Sequence, residues 1–187
     1  MKILLTGATG YLGSHLAKAL TSAGHDIIVV KRKTSNMYRL LNILPALSIY
    51  DFSQDSIGML FKEQGPIDAV VHTATSYGRA GESWQQIVES NLVFPLCLLE
   101  HAAKNAVPLF INTATILDRW INAYSLSKDQ FSDWGKLYTS TNMIRFIDVR
   151  LEHMYGPGDD DSKFTTYVIQ NLRRNVPELN FTLGEQK

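Results

Sequence analysis

The chain has 187 residues, 45% of them hydrophobic, which is enough to bury one sizeable core. Its 18 basic residues balance its 18 acidic residues, and without a basic cluster the sequence argues against binding nucleic acid or an anionic membrane surface. No apolar run is long enough for a signal peptide or a membrane span, so a cytoplasmic protein is expected. The single cysteine, Cys97, allows no internal disulfide, and no zinc-like spacing predicts a metal site.

Apolar strand-like runs alternate with helix-like stretches along most of the chain. Strands are predicted near 2–6, 26–31, 47–50, 67–72, 108–113 and 143–149. Helices are predicted near 11–23, 53–63, 83–105 and 122–138, and Pro95 should kink or divide the third of them. This alternation predicts an α/β protein with a parallel sheet covered on both faces.

A glycine-rich turn from Thr6 to Gly13 lies between the first predicted strand and the first helix. Gly7 permits the tight turn, Gly10 lets the backbone approach a phosphate, and Gly13 allows close packing of the helix on the sheet. The helix N-terminus offers N–H groups and a positive dipole end. The context predicts a seat for a dinucleotide pyrophosphate, and a simple glycine-rich turn is the alternative. Three further residues of the turn would contact the cofactor: Thr9, Tyr11 and Leu12.

Tyr124 and Lys128 stand four residues apart and therefore share one face of a predicted helix. A neighbouring ammonium and a cationic nicotinamide would both favour the phenolate, so Tyr124 could give or take a proton as hydride moves. On an ordinary amphipathic helix the same pair is a packed tyrosine and a solvated lysine. Its position after the fifth strand, in a chain with this glycine turn, favours catalysis.

Together with Asn91 and the segment 149–158, these motifs resemble the extended short-chain dehydrogenase/reductases, in particular the NAD(P)-dependent epimerase/dehydratase family that modifies nucleotide-activated sugars. The resemblance covers essentially the whole chain and implies a Rossmann-type doubly wound parallel sheet. It also implies a catalytic set of Thr113, Tyr124 and Lys128, in which the Thr113 hydroxyl holds the reacting sugar oxygen. Thr115 is the second candidate for that role, and a strand-end threonine bonded to backbone is the alternative for Thr113.

The residues after Thr113 bear on the type of reaction. Sugar dehydratases of the family carry an acidic pair there, whereas this chain has Ala114 and Thr115, which leaves epimerisation or ketone reduction. The short loop between Thr113 and Tyr124 resembles that of bacterial enzymes related to CDP-abequose synthase. Those enzymes reduce the 4-keto group of a CDP-4-keto-6-deoxyhexose in lipopolysaccharide biosynthesis. The alternatives are a UDP-glucose 4-epimerase-like enzyme, a non-catalytic NADP(H)-binding protein and an inactive remnant.

The end of the second strand bears on cofactor choice. Where an NAD-specific site usually has an acidic residue, this chain has Lys31 followed by Arg32, which would attract a 2′-phosphate. NADP(H) is therefore favoured over NAD(H), and a solvated basic loop is the alternative. The resemblance implies further cofactor contacts: Asp51 and Phe52 at the adenine, and Thr73, Ala74 and Thr75 beneath the cofactor. It also implies that Asn91 ties its helix to the sheet and can order a water in the proton path, and an amide on the helix surface is the alternative.

The resemblance also implies a domain organisation. An NAD(P)-binding Rossmann domain is predicted over 1–158, and 159–187 would begin a sugar-binding lobe, with a strand at 181–183. Most of that lobe would be missing, so the chain is expected to bind cofactor yet reduce a sugar poorly. The family commonly dimerises through the helices near 83–105 and 122–138, so a homodimer is expected. Their apolar residues include Leu92, Leu96, Leu99, Phe131 and Trp134.

Overall fold

The computed structural model describes residues 1–152, 154–160 and 163–181 of the chain. It divides into two compact units, Met1–Glu152 and His153–Lys187. The predicted domain boundary at 158 therefore falls inside the second unit. No helix among the described residues has both the length and the apolar character needed to cross a lipid bilayer.

The first unit contains a sheet of six parallel strands whose order is β3-β2-β1-β4-β5-β6. This order confirms the predicted Rossmann-type doubly wound sheet, because the chain builds outward in one direction from β1, returns to the centre, and then builds outward in the other. The strands are β1 Lys2–Thr6, β2 Asp26–Lys31, β3 Leu47–Asp51, β4 Ala69–His72, β5 Leu109–Thr115 and β6 Arg145–Leu151.

The helices of this unit cover both faces of the sheet. They are α1 Tyr11–Ser22, α2 Gln54–Gln64, α3 Trp84–Val88, α4 Phe94–Lys104 and α5 Ala123–Ser140. A π-helical turn, Glu89–Val93, joins α3 to α4 just before Pro95, which has no N–H to continue an α-helical ladder. The predicted helix near 83–105 is thus divided close to Pro95, as the sequence predicts. A 3₁₀ segment, Tyr38–Ala46, was not predicted.

Alternation along the strands places a separate apolar core on each face of the sheet. On one face, Leu4, Val70 and Phe110 lie in register and pack beneath α2, α4 and α5. On the other face, Leu5 and Val29 pack beneath α1 and the 3₁₀ segment. The loops that follow the strands gather at their carboxyl ends, where open α/β sheets bind ligands.

The position of α5 depends on a glycine. A Cβ atom built on Gly135 would overlap the ring of Phe146 on β6, so only glycine allows this close packing of helix on strand. The start of the helix is fixed by a capping box, in which the Asn122 side chain accepts from Ser125 N and the Ser125 hydroxyl accepts from Asn122 N. The close packing at Gly135 thus holds the helix that carries Tyr124 and Lys128 against the sheet, and the capping box fixes where that helix begins.

The second unit contains α6 Phe164–Arg173. Before it, the Lys163 ammonium pairs with the buried Asp159 carboxylate at 2.8 Å. The ring of Phe164 lies 5.5 Å from that of Phe181. Phe181 belongs to no regular element, and the rest of the strand predicted at 181–183 lies outside the described residues.

Candidate active site

The glycine turn has the tight geometry that the sequence predicts. Gly7 has a φ of +72°, and a Cβ there would come within 2.5 Å of Ala74 N and 2.6 Å of the Thr73 hydroxyl. A Cβ on Gly13 would overlap the Gly7 carbonyl, and Gly10 N donates to that same carbonyl at 2.9 Å. Side chains at Gly7 and Gly13 would therefore force the turn away from both the sheet and the helix.

The N-terminus of α1 differs from those of several neighbouring helices. Its first flanking residue, Gly10, provides no side-chain hydrogen bond, and its first turn holds no acidic residue. In contrast, α2, α3 and α5 each begin with a capping box, from Ser53, Ser83 and Asn122 respectively. Thr9, Tyr11 and Leu12 are half-exposed at the α1 terminus, and Tyr11 also packs on His15 at 4.9 Å. The terminus fits the pyrophosphate of a dinucleotide, because its backbone and dipole favour an anion.

Next to the turn, the loop after β4 is bonded to the end of β1. Thr73 donates to the Thr6 carbonyl through both its amide, at 3.3 Å, and its hydroxyl, at 2.7 Å. Ala74 N donates to the Thr6 hydroxyl at 3.4 Å. This places Thr73, Ala74 and Thr75 beside the glycine turn, where the resemblance predicts the underside of the cofactor.

The cations predicted to bind a 2′-phosphate both have carboxylates nearby. Lys31 pairs with Asp51 at 2.5 Å, because the two residues lie opposite each other at the ends of β2 and β3. The positive charge of Arg32 lies near the Glu82 carboxylate. The pKa of Glu82 is lowered mainly by hydrogen bonds from its own backbone N–H, from Ser76 and from Ala80, and to a smaller extent by the charge of Arg32. The adenosine end is therefore less basic than the sequence suggests.

The Phe52 ring, predicted to touch the adenine, packs edge-on against Phe94 at 4.5 Å and remains half-buried beside the core. Its packing there leaves only part of the ring accessible to a ligand.

Asn91 lies in the π-helical turn and is buried. Its Oδ1 accepts from Ser76 N at 2.7 Å and from the Thr75 hydroxyl at 3.1 Å, while Nδ2 donates to the Ser76 carbonyl at 2.8 Å and to the Ser127 hydroxyl at 3.1 Å. These four bonds use the full capacity of an amide side chain. In this arrangement Asn91 ties the loop after β4 to α5, and no capacity remains for the predicted water or for a direct cofactor contact.

Tyr124 and Lys128 lie on the inner face of α5, Tyr124 half-buried and Lys128 only 2% exposed. Burial lowers the pKa of Lys128 to about 8, and the negative charge of Asp148 opposes that change. The pKa of Tyr124 is raised by burial and by Tyr77, against smaller lowering effects of a Thr115 hydrogen bond and of Arg79. In the protein alone burial therefore outweighs the lowering effects, and the phenol is protonated at neutral pH.

The two threonines at the end of β5 have different contacts. The Thr113 hydroxyl donates to the His72 carbonyl on β4 at 3.1 Å, which is the backbone-bonded alternative of the sequence interpretation. The buried Thr115 hydroxyl accepts from Leu117 N at 3.2 Å and lies close enough to Tyr124 to lower the pKa of its phenol. Thr115, the second candidate, therefore lies beside the phenol, while the Thr113 hydroxyl is bonded to backbone.

His72 is fully enclosed and takes no part in proton transfer. Its Nδ1 forms a 2.7 Å hydrogen bond with the Thr6 hydroxyl, and its ring packs among Phe94, Phe110 and Phe131. Burial, with the nearby charge of Lys128, holds the pKa of His72 well below its ordinary value. The ring is therefore neutral at physiological pH.

Two residues of the site carry no signal in the sequence. The Tyr77 ring lies 5.1 Å from that of Tyr124, and the Arg79 guanidinium lies 5.4 Å above Tyr77. Both stand on the loop after β4, which Glu82 holds in shape by accepting from the Ser76 hydroxyl at 2.9 Å and from Ala80 N at 2.8 Å. Only this folded loop brings Tyr77 and Arg79 to Tyr124.

Comparisons with known proteins show the family and the fold of the chain. The sequence model of the NAD dependent epimerase/dehydratase family matches residues 3–187. CDP-abequose synthase of Salmonella typhimurium is 31% identical over 195 residues, which cover 98% of this chain but 63% of that protein. The chain therefore spans less than two thirds of the length of this relative.

Solved structures share the fold. UDP-glucose 4-epimerase of Thermotoga maritima, crystallised with UDP-glucose, superposes with a TM-score of 0.80 at 21% identity, over 93% of this chain and 63% of that one. WbmH of Bordetella bronchiseptica, solved with NAD⁺, gives a TM-score of 0.77 at 25% identity, over 93% and 62%. On the match to the family as a whole, the chain belongs to the NAD-dependent epimerase/dehydratase family.

Proposed function

We propose that the chain is part of an NADP(H)-dependent reductase acting on the 4-keto group of a nucleotide-linked 4-keto-6-deoxyhexose. The observation that carries the proposal is the pair of side chains on one face of α5: Tyr124, whose raised pKa keeps the phenol protonated at neutral pH, and the buried Lys128 one turn later. The likeness to CDP-abequose synthase and the absence of an acidic pair after Thr113 support reduction over dehydration.

In the proposed reaction each residue of the site has its own role. A bound NADPH would supply the hydride, and the turn from Gly7 to Gly13 fits its pyrophosphate. Tyr124 donates its phenolic proton to the carbonyl oxygen as that oxygen gains charge. Thr115 orients the phenol, and Lys128 holds the nicotinamide ribose by its ammonium.

The test uses a full-length version that includes the sugar-binding lobe and measures loss of NADPH absorbance with a CDP-4-keto-6-deoxyhexose. The Tyr124→Phe variant should reduce the ketone about 10²–10⁴-fold more slowly, the range that general acid catalysis contributes, with unchanged NADPH affinity by calorimetry. Thr115→Val should slow the reaction more than Thr113→Val. Wild-type turnover in Tyr124→Phe would contradict the assigned proton donor.

The same assay separates the other candidate functions. A 4-epimerase would instead invert the sugar at C4 without net consumption of NADPH. We include this outcome because the chain shares its fold with UDP-glucose 4-epimerase. A non-catalytic NADP(H)-binding protein would bind the nucleotide and leave every sugar unchanged.

A further inference from the structure

Lys128 places a positive charge in the interior, where an ammonium is costly unless an opposite charge compensates it. The direct ion pairs found within the described part of the chain all involve other cations. The compensation for Lys128 must therefore act over a longer distance than a contact pair.

Three titratable groups face Lys128 from the elements around it. Tyr124 lies one turn earlier on α5 and is a neutral phenol, and His72, at the end of β4, is held neutral by burial. Asp148 on β6 is the carboxylate whose charge acts on Lys128 among the described residues. The negative charge for the buried ammonium thus comes from β6.

The register of the sheet shows how Asp148 is held. Thr6, His72, Asn112 and Asp148 lie opposite one another on β1, β4, β5 and β6, so their side chains form one polar row on the face that α5 covers. At one end of the row Thr6 bonds to His72 at 2.7 Å, and at the other end Asn112 Nδ2 donates to Asp148 Oδ1 at 2.7 Å.

The position of Asn112 is energetically unfavourable for a polar side chain. It is fully buried, and its Oδ1 has no hydrogen-bond partner among the described residues. A buried polar atom without a partner destabilises the fold, and an apolar side chain would avoid that cost. The contact that the amide does make is the one that fixes the Asp148 carboxylate, which gives Asn112 a reason to be there.

We propose that Asp148, fixed by Asn112, is a positioning residue that keeps the Lys128 ammonium charged and in place for the cofactor. The inference rests on the cofactor-binding role proposed for Lys128. Asp148 acts through Lys128 and touches neither hydride donor nor ketone, so its effect should appear first in the titration of the lysine and only then in binding and turnover.

The test is the Asp148→Asn variant, which keeps the shape of the side chain and an oxygen for the Asn112 amide. The titration of Lys128 is followed by NMR in protein with isotope-labelled lysines, and its signal is assigned from Lys128→Met. We expect the midpoint to move to lower pH than in the wild type, and NADPH affinity at pH 8 to fall by about threefold or more relative to that at pH 6. Asp148→Glu should restore part of the Lys128 midpoint and part of the NADPH affinity at pH 8.

Two further variants keep the test decisive. Asn112→Ser leaves the carboxylate but removes its amide donor, so a smaller change in the same direction is expected, and it replaces Asp148→Asn if that variant fails to fold. Asp133→Asn is the matched control, because Asp133 is exposed on α5 and bonds to Lys136 at 2.9 Å. It should leave the Lys128 midpoint unchanged.

The outcomes separate this inference from the proposed function. A wild-type Lys128 midpoint in folded Asp148→Asn or Asn112→Ser overturns the inference, whatever the turnover. A lowered midpoint, with no sugar reduced by the full-length version, refutes the proposed function and leaves the role of Asp148 standing, because the titration needs no turnover.

Discussion

Lys128 should lower the stability of the folded chain, because its ammonium is buried for binding rather than for packing. Burial lowers the pKa of Lys128 from the ordinary 10.5 to about 8, even with the opposing charge of Asp148. Methionine has a similar length and no charge. We therefore expect Lys128→Met to be more stable than the wild type at neutral pH, although it loses the group proposed to hold the cofactor.

The size and the pH dependence of this effect follow from proton linkage. At pH 7 the lysine is protonated both folded and unfolded, so the full cost of the lowered pKa is present, about 3 kcal/mol at about 1.4 kcal/mol per pKa unit. Between pH 8 and 10.5 the unfolded chain binds a proton that the folded chain does not, so wild-type stability rises with pH. From pH 7 to 9.5 the advantage of Lys128→Met should shrink by about 2 kcal/mol.

The assay is urea unfolding of the wild type and the variant, without cofactor, at both pH values. The matched control is Lys136→Met on the same helix, since the Lys136 side chain is 66% exposed and should change stability by less than about 0.5 kcal/mol at either pH. A Lys128→Met protein no more stable than the wild type at pH 7 would refute the reasoning. So would an advantage that does not fall as the pH rises.

Three further predictions concern other parts of the first unit. Asp51→Asn should release Lys31 from its 2.5 Å ion pair and raise the ratio of NADPH to NADH affinity about 1.4- to 5-fold, equivalent to about 0.2–1 kcal/mol. An unchanged ratio in calorimetry would mean that Lys31 does not reach the 2′-phosphate. Gly13→Ala should cost about 1–3 kcal/mol of stability and abolish NADPH binding, whereas Gly58→Ala, inside α2, should do neither. Trp134→Glu should convert the expected homodimer to a monomer in light scattering, and a monomeric wild type at micromolar concentration would exclude that dimer.

The fold was largely predictable because its strands are short apolar runs separated by glycine and proline. Two features were not. The 3₁₀ segment Tyr38–Ala46 has Pro45 within it and buries Leu40 against the core beside α1, a tertiary contact that no local pattern reveals. The π-helical turn Glu89–Val93 presents Asn91 to two separate elements, and that requirement appears only once the loop after β4 and α5 are in place.

Within the site, local motifs were predictable and contacts between strands were not. The glycine turn and the Tyr124–Lys128 pair each lie on one continuous segment. The contacts of Thr113 and Thr115 depend instead on other elements: the His72 carbonyl of the neighbouring strand accepts from Thr113, and Thr115 lies near Tyr124 of α5.

The predictions about the cofactor and the dimer also depended on contacts between elements that are distant in the sequence. The Lys31–Asp51 pair depends on the register of β2 and β3, which neither strand specifies alone. Of the apolar residues expected at a dimer interface, Leu99 and Phe131 are fully buried in the core of the chain itself, while Trp134 is 42% exposed.

The protonation states of the site also favour a direction of reaction. An epimerase must first oxidise an alcohol, which requires a base, whereas a reductase needs an acid, and the raised pKa of Tyr124 keeps it an acid through neutral pH. The loss of activity at alkaline pH should therefore come from Lys128, with kcat/KM for ketone reduction falling above about pH 8. Asp148→Asn should move that fall to lower pH, and Tyr124→Phe should leave its position unchanged in the residual activity. A rate that instead rises through pH 8 would indicate a phenolate base, and would support the epimerase.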